Sequence, residues 1–352
     1  MKIVLFLFFL SLKFYFLGQI TDIEIKSRLD SVAQEFPSGT SFSICLLRKN
    51  EIRFIGATKG DSLFTLAPLQ DSSFEIGSLT KVFTSTVLAD MVVNQRLKLN
   101  KKVNKVFPYK WKSGKNIHFL SLANHTSGLY RIPSNALMLF AQNPSNPYAN
   151  YTYELLDTYL EQNLQLEHET GKVYSYSNLG AGVLSYALEK YAQTSYSELL
   201  KKCVLDKYGL TQTGYSLKAD IPGYNAERAI TDNWEFNALE GAGGIISSVF
   251  ELSKFVSAQF NEDDEVLALT RKVTHVISDE LSIGLGWHIL KLNTSDETYW
   301  HNGGTGGYTS SISFRTSNNS GIIILTNISA FHPKASFVDE FGFALLDQLK
   351  KN

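Results

Sequence analysis

Strand-like segments lie at both ends of this chain, and helix-like segments fill its middle. Alternating or short apolar runs bounded by turn residues are typical of strands, whereas apolar residues spaced three and four apart are typical of helices. Strands at both ends with helices between them predict one antiparallel sheet assembled from both chain ends, which is an α+β fold. The predicted strands are Ser41 to Leu47, Ile52 to Thr58, Gly284 to Lys291, Thr298 to Asn302, Tyr308 to Arg315 and Gly321 to Asn327. The predicted helices are Ile20 to Phe36, Val82 to Leu97, Thr152 to Gln162, Leu179 to Ala192, Ser195 to Lys202 and Ala335 to Lys350.

The helical middle is predicted to be a subdomain inserted into the sheet. We assign residues 19–79 and 243–352 to an α/β sheet subdomain and residues 80–242 to a mostly helical one. Because the helical part is inserted within the sheet part, we expect the two to pack on each other rather than to fold as separate domains. An active site is expected at their junction.

The segment Met1 to Gly18 has the pattern of an export signal. Lys2 precedes the apolar run Ile3 to Leu12, and the small residue Gly18 precedes a predicted cut before Gln19. The run is short for a membrane span, and no later stretch is long and apolar enough to be one. We therefore predict an exported protein, periplasmic or extracellular, with an uncleaved membrane anchor as the alternative.

The charge pattern excludes nucleic acid as a partner. Lys and Arg number 33 against 34 Asp and Glu, without a basic block to neutralise phosphates.

Cysteine and histidine spacings indicate no metal centre, because His168 is not followed by a second histidine at helical spacing. Cys45 and Cys203 are interpreted as two buried thiols, with a disulfide as the alternative. The sequence predicts no cofactor, and oligomeric state stays open.

Ser78 and Lys81 form the most informative pair in the chain. Ser78 is the only serine followed by a lysine three residues later, and a helical pattern follows. Residues three apart on a helix lie on one face, so an amine would lie beside a hydroxyl. A serine hydroxyl attacks a carbonyl only when a neighbour accepts its proton, and Lys81 either accepts it or holds the accepting group as an anion. An isolated Ser-x-x-Lys is nevertheless most often a helix start with a surface lysine.

Two further motifs follow in order. Tyr176 and Asn178 form a Tyr-x-Asn at the head of a predicted helix, where a phenol and an amide can enter a cleft. His301 opens a His-Asn-Gly-Gly stretch in which a predicted strand runs into Gly303 and Gly304. Glycines there let a substrate lie close against a strand edge.

These three motifs resemble the active-site set of the penicillin-recognising serine hydrolases, and most closely the class C β-lactamase-like group of β-lactamases, D-alanyl-D-alanine carboxypeptidases and esterases. The resemblance covers nearly the whole chain after Gly18 and includes Leu120 to Leu129 and Glu240 to Ser248. It implies a β-lactamase/transpeptidase-like fold and a small-molecule ester, amide or peptide substrate.

The resemblance also implies roles for the motif residues. Ser78 would attack a carbonyl, and Tyr176, held partly as phenolate by the Lys81 cation, would accept and return the proton. The backbone N–H groups of Ser78 and Gly304 would hold the oxyanion, and Asn178 would orient the substrate amide and Lys81. His301 stands where β-lactamases have a lysine, and an imidazole is a poor fixed cation for a carboxylate.

The His301 departure favours an esterase or D-peptidase-like hydrolase. The alternatives are a class C-like β-lactamase, a D-Ala-D-Ala carboxypeptidase and, from a different class, an inactive penicillin-binding-type sensor. Tyr148-Ala149-Asn150 is a second Tyr-x-Asn, but it lacks the apolar and glycine pattern that follows Asn178, so Tyr176 is preferred.

Overall fold

The computed structural model describes residues 20–49, 51–215, 217–291 and 296–350, so the predicted export segment, Met1 to Gly18, lies outside the described residues. The strands are β1 (Ser41–Arg48), β2 (Glu51–Lys59), β3 (Phe64–Leu66), β4 (Phe74–Glu75), β5 (Gly223–Tyr224), β6 (Ile230–Thr231), β7 (Ile246–Ser247), β8 (His275–Val276), β9 (Leu281–Ile283), β10 (His288–Leu290), β11 (Thr298–Gly304), β12 (Thr309–Arg315) and β13 (Ser320–Thr326). The α-helices are α1 (Asp22–Asp30), α2 (Thr80–Val93), α3 (Phe119–Ala123), α4 (Leu137–Gln142), α5 (Tyr153–Thr158), α6 (Asn178–Ala192), α7 (Tyr196–Leu200), α8 (Asp206–Tyr208), α9 (Val249–Ala258), α10 (Glu265–Arg271) and α11 (Phe337–Lys350).

One antiparallel sheet joins strands from both halves of the chain. Its order is β3-β2-β1-β13-β12-β11-β10-β9-β8. β1 pairs with β2 through a tight hairpin, and on its other edge it pairs with β13, where Cys45 lies opposite Ile323. An early strand and a late strand therefore meet in the middle of the sheet, as the sequence predicts.

Both faces of the central strand β1 are covered. Phe42 and Ile44 pack into a buried cluster with Leu29 of α1 and Phe341 of α11. Cys45 points to the opposite face and joins the larger core that contains the middle helices. A strand covered on both sides carries apolar residues almost continuously. Each fully buried Leu, Ile or Phe side chain contributes about 1.5–3 kcal/mol to this packing.

The buried helix α2 is the centre of the larger core. It begins directly after a 3-10 turn at Gly77–Leu79, and its residues from Thr80 to Met91 are all buried. Helices α3 to α8 follow α2 in the chain, and α6 packs closely on the 3-10 segment Asn237–Ala242. The exact boundaries of the two predicted subdomains stay a prediction.

Two predicted elements differ most from the structure. The predicted helix Ile20 to Phe36 is shorter, because Thr21 caps α1 at its start and α1 ends at Asp30. The predicted strand Gly284 to Lys291 is wrong in its first half, because residues 284–287 lie between β9 and β10 and only His288–Leu290 forms a strand, β10. Gly286 adopts a φ of 81° in the turn between them, which is a left-handed conformation that interrupts a strand.

The two cysteines are separate, buried thiols, which confirms the preferred interpretation. Cys45 is 0% and Cys203 is 2% exposed, and both are free. Burial raises the pKa of the Cys203 thiol to about 11, so it stays protonated and unreactive at neutral pH.

None of the described helices combines the length and the apolar character that crossing a bilayer requires.

Candidate active site

The turn that carries Ser78 is held directly against the end of β11. Gly77 has a φ of 51°, which favours glycine, and a Cβ placed on it would lie 2.5 Å from the Gly304 nitrogen. Ser78 itself remains partly exposed although its neighbours in the turn are buried. The local backbone therefore presents one hydroxyl at the N-terminal end of α2.

Lys81 lies one helical turn further and is 2% exposed. Its Nζ is 2.9 Å from Ser78 Oγ and donates a second hydrogen bond, 2.6 Å long, to the Ala242 carbonyl. Burial lowers the pKa of Lys81 well below its ordinary value, and the positive charge of Arg131 acts in the same direction. A neutral amine keeps a lone pair, so Lys81 can accept the Ser78 proton while Ala242 holds it in place.

Tyr176 covers this pair from the other side. Its ring centre is 4.9 Å from Lys81 Nζ, and it packs against the His125 ring with centroids 4.5 Å apart. Burial raises the pKa of Tyr176, whereas a hydrogen bond with Ser78 and the charge of Arg131 oppose that rise. The directions of both pKa shifts favour a phenol beside a neutral amine over the expected phenolate beside an ammonium.

β11 brings the glycines to the serine. Residues of β11 alternate between the two faces of the sheet, and Trp300 and Asn302 both donate hydrogen bonds to Asp339 of α11. His301 and Gly303 therefore face the opposite side, toward α2. A Cβ placed on Gly303 would lie 2.0 Å from the Ile76 carbonyl oxygen and 2.9 Å from the Ser78 nitrogen.

The Gly304 amide is free of the ladder with β12. Thr305 N–H donates to the Tyr308 carbonyl, and in an antiparallel pair the preceding amide then points the other way. On that other side β10 reaches only as far as Trp300, which lies opposite His288. The amides of Ser78 and Gly304 thus adjoin the same space, which is the arrangement of an oxyanion hole.

His301 is 1% exposed and its ring faces Tyr176, with centroids 6.3 Å apart. Its Nδ1 lies 2.6 Å from the Asn302 carbonyl, which only accepts, so Nδ1 carries the proton. Burial lowers the pKa of His301 well below 6.5 and keeps the ring neutral. Its Nε2, which is buried without a partner in the described residues, is consequently an acceptor.

Asn178 lies at the head of α6, where Ser177 caps the helix. Its Nδ2 donates to the Tyr148 hydroxyl at 2.8 Å, and its buried Oδ1 has no partner among the described residues. The second tyrosine motif, set aside on its sequence context, therefore supplies a wall of the same site. The structure brings together all the predicted site residues: Ser78, Lys81, Tyr176, Asn178, His301, Gly303 and Gly304.

Sequence reasoning missed three neighbours of Tyr176. The Arg131 guanidinium lies 5.1 Å from its ring centre, and His125 packs on the ring. The Tyr174 hydroxyl and His288 Nε2 share a hydrogen bond of 2.8 Å. His125 lies within the stretch noted for its family resemblance, but nothing in the sequence singles out Arg131. Among the described residues, no three His, Cys, Asp or Glu side chains are grouped to hold a metal ion.

Gly303→Ala is expected to reduce both activity and stability, because the added methyl would meet the Ile76 carbonyl and the Ser78 amide. Overpacking of this kind costs typically about 1–3 kcal/mol. Gly214→Ala is the matched control, since an added Cβ there meets nothing within 4 Å. Thermal unfolding and ester hydrolysis measure both effects, and equal behaviour of the two variants would contradict the close approach.

Glu75, three residues before Ser78, is a buried carboxyl group that is 4% exposed. Burial raises its pKa to about 7, although hydrogen bonds from Thr305, Asn233 and the Trp234 amide oppose the rise. The Trp234 N–H donates to Glu75 Oε1 at 2.6 Å. Glu75 therefore anchors the segment around Trp234 to β4, directly before the turn that carries Ser78.

The free energy of unfolding should fall as the pH rises from 4.5, the ordinary pKa of a glutamate, to about 7, the pKa of Glu75 in the folded protein. Because the folded-state pKa is about 7 against an ordinary 4.5, the folded protein keeps a proton that the unfolded chain loses within this window. The side chain at position 75 of the Glu75→Gln variant stays neutral at every pH. The free energy of unfolding of this variant should therefore exceed that of the parent protein by up to roughly 3 kcal/mol at pH 8 and by little at pH 4. Urea unfolding at both pH values tests this, and an equal difference at both would refute it.

The chain is similar in sequence to several known proteins. A model of the Beta-lactamase family matches residues 41–345. Protein flp of Staphylococcus aureus is 25% identical over 283 residues, covering 75% of this chain and 54% of that protein. A Beta-lactamase of Providencia stuartii is 32% identical over 182 residues, covering 51% and 43% respectively. The chain spans about half the length of the curated relatives it matches.

Solved structures share the fold. The octameric penicillin-binding protein homologue from Pyrococcus abyssi superposes with a TM-score of 0.75 at 20% identity, covering 93% of this chain and 77% of that one. A beta-lactamase/D-alanine carboxypeptidase from Pseudomonas syringae gives a TM-score of 0.74 at 20% identity, covering 94% and 98%. The architecture is therefore the β-lactamase/transpeptidase fold, as the resemblance implied.

Proposed function

We propose, from the premise that this chain belongs to the Beta-lactamase family of serine hydrolases, that it hydrolyses esters or amides through a covalent Ser78 acyl-enzyme. The observation that carries the proposal is the 2.9 Å approach of the buried Lys81 Nζ to Ser78 Oγ, beside the glycine-lined end of β11. A nucleophile, a base within hydrogen-bond reach and adjacent oxyanion donors are what acyl transfer requires.

In the acylation step, neutral Lys81 takes the Ser78 proton as Oγ attacks the substrate carbonyl carbon. The carbonyl oxygen becomes an oxyanion between the amides of Ser78 and Gly304, and each such donor is typically worth about 2.7–4 kcal/mol of the barrier. Tyr176 then gives its proton to the leaving alcohol or amine and recovers one from Lys81. The carbon–leaving-group bond breaks, and an ester to Ser78 remains.

Water completes the cycle. As it attacks the Ser78 ester, its proton passes to Lys81 or through Tyr176 to Lys81, and the same two amides hold the second oxyanion. Ser78 leaves with the proton that Lys81 returns, so the products are the free acid and the original enzyme. All proton transfers use groups already within the site.

The neutral His301 supports ester or D-peptidase-like hydrolysis over efficient β-lactam turnover. Its Nε2 is an acceptor, so it offers no positive charge to the carboxylate that β-lactams carry. β-Lactam or D-Ala-D-Ala hydrolysis is the second candidate, because a Beta-lactamase is among the relatives of the chain.

A substrate panel with active-site labelling tests the proposal. We expect 4-nitrophenyl esters to be hydrolysed faster than nitrocefin or D-Ala-D-Ala peptides, and a fluorophosphonate probe to be recovered by mass spectrometry on the peptide that contains Ser78. A label on another residue would contradict the mechanism. A labelled Ser78 without turnover of any panel member would favour a sensor over an enzyme.

A further inference from the structure

Arg131 is held at the rim of the site by two backbone contacts. Its carbonyl accepts a hydrogen bond from Leu179 N–H at 3.0 Å, and the preceding carbonyl, of Tyr130, accepts one from Ser177 at 2.7 Å. Both donors belong to the head of α6, next to Tyr176 and Asn178. The loop and the catalytic candidates are thus fixed to each other.

The guanidinium of Arg131 points at the site and has no acidic partner in the part of the chain that the structure describes. It lies over the Tyr176 ring at 5.1 Å, and its charge adds to burial, the main cause, in lowering the pKa of Lys81 and of His125. Among the ion pairs of the described residues, none involves Arg131. With His301 neutral, the site offers Arg131 as a lasting positive charge to an incoming anion.

An apolar cavity of about 330 Å³ adjoins the same arginine. It is lined by Tyr130, Arg131, Ile132, Ser134, Leu137, Tyr159 and Gln165, a set without a carboxylate. Tyr130 and Leu137, which both line the cavity, are 42% and 55% exposed, so its apolar surface is open to solvent. The volume is at the lower end of the range for small-molecule sites, about 300–1,000 Å³.

We propose that this cavity is a substrate subsite, in which Arg131 pairs with a carboxylate and the cavity receives the apolar group beside it. The inference rests on the proposed function and names the substrate class: an ester or amide with an anionic, apolar extension. A planar guanidinium matches a carboxylate through two parallel hydrogen bonds, which a point charge does not. Arg131 thus supplies the anion recognition that His301 lacks.

Binding to the Ser78→Ala variant tests the subsite without requiring hydrolysis. Calorimetry compares 4-phenylbutyrate with its neutral counterpart 4-phenylbutanamide. We expect Arg131→Gln to weaken phenylbutyrate binding at least tenfold while changing phenylbutanamide binding less than twofold, and Arg131→Lys to restore part of the loss. Leu137→Trp, which fills the cavity from an exposed position, should weaken both. Arg228→Gln removes the same charge from a separate exposed loop and should change neither.

Equal weakening of both ligands by Arg131→Gln, or unchanged phenylbutyrate binding, would overturn the proposal. In the active protein, the matching readout is the ratio of kcat/KM for mono-4-nitrophenyl adipate to that for 4-nitrophenyl hexanoate, which Arg131→Gln should lower at least tenfold. An arginine that acts only through the pKa of Tyr176 would change both esters alike and leave this ratio unaltered. A protein that binds phenylbutyrate through Arg131 but hydrolyses no ester would contradict the proposed function alone.

Discussion

Replacing Ser78 with alanine is expected to lower kcat/KM for 4-nitrophenyl esters by on the order of 10⁴-fold or more, since loss of an active-site serine removes the covalent route altogether. The physical reason is the lack of any second nucleophile beside Lys81 and the two amides in the described site. Residual hydrolysis should come only from oxyanion stabilisation and substrate positioning. Steady-state assays and probe labelling measure the loss directly.

Ser72→Ala is the matched control for this variant. Ser72 lies six residues earlier in the loop before β4, and the same atom is removed without touching the site. Equal activity of the Ser78→Ala protein and its parent would refute the acyl-enzyme. Thermal unfolding of both variants should lie close to that of the parent, because Ser78 is partly exposed and its loss opens no buried cavity.

Lys81→Met is expected to slow acylation by about 10²- to 10⁴-fold, the usual contribution of a positioned acid or base. The parent enzyme needs neutral Lys81, so its kcat/KM should rise with pH as this lysine loses its proton. Burial places that rise below the ordinary lysine pKa of 10.5. The rise of kcat/KM with pH that comes from Lys81 should be absent in the Lys81→Met variant. Burst-phase measurements across pH separate acylation from the later steps.

Tyr176→Phe distinguishes the two possible bases. If Lys81 accepts the Ser78 proton, Lys81→Met should cost more than Tyr176→Phe; the opposite order would restore the phenolate as base. Lys201→Met is the control for removing a lysine, because Lys201 forms an exposed ion pair with Asp206. Exposed pairs of this kind contribute little, about 0–1 kcal/mol, so this variant should retain activity.

The fold was largely predictable from local pattern. The β1–β2 hairpin and the late strands β11 to β13 repeat the predicted strands to within a residue or two, because apolar alternation reports burial directly. The strand predicted at Gly284 to Lys291 failed for a local reason that the apolar pattern does not reveal. Gly284 and Gly286 lie in a turn there. Gly284 packs against the carbonyl of Thr270, a residue that is not a near neighbour in the sequence.

The contacts of the site could be predicted only where the spacing of residues along the chain determines them. Ser78 and Lys81 lie on one helical face, so their contact follows from the chain itself. The Ala242 carbonyl on Lys81 and the Tyr148 hydroxyl on Asn178 join residues 161 and 30 positions apart. No local pattern encodes such pairs, since they exist only after the helical segments have packed.

The amino-acid sequence by itself determined which chemical groups this protein contains, the order of its motifs and the family that these motifs indicate. Tertiary structure alone decided their neighbours and the direction of their pKa shifts: burial lowers the pKa of Lys81, the Asn302 carbonyl makes Nε2 of His301 an acceptor, and Arg131 lies over the Tyr176 ring beside an apolar cavity. The reason is that desolvation and hydrogen-bond direction depend on everything that surrounds a group, whereas a sequence records only its covalent neighbours.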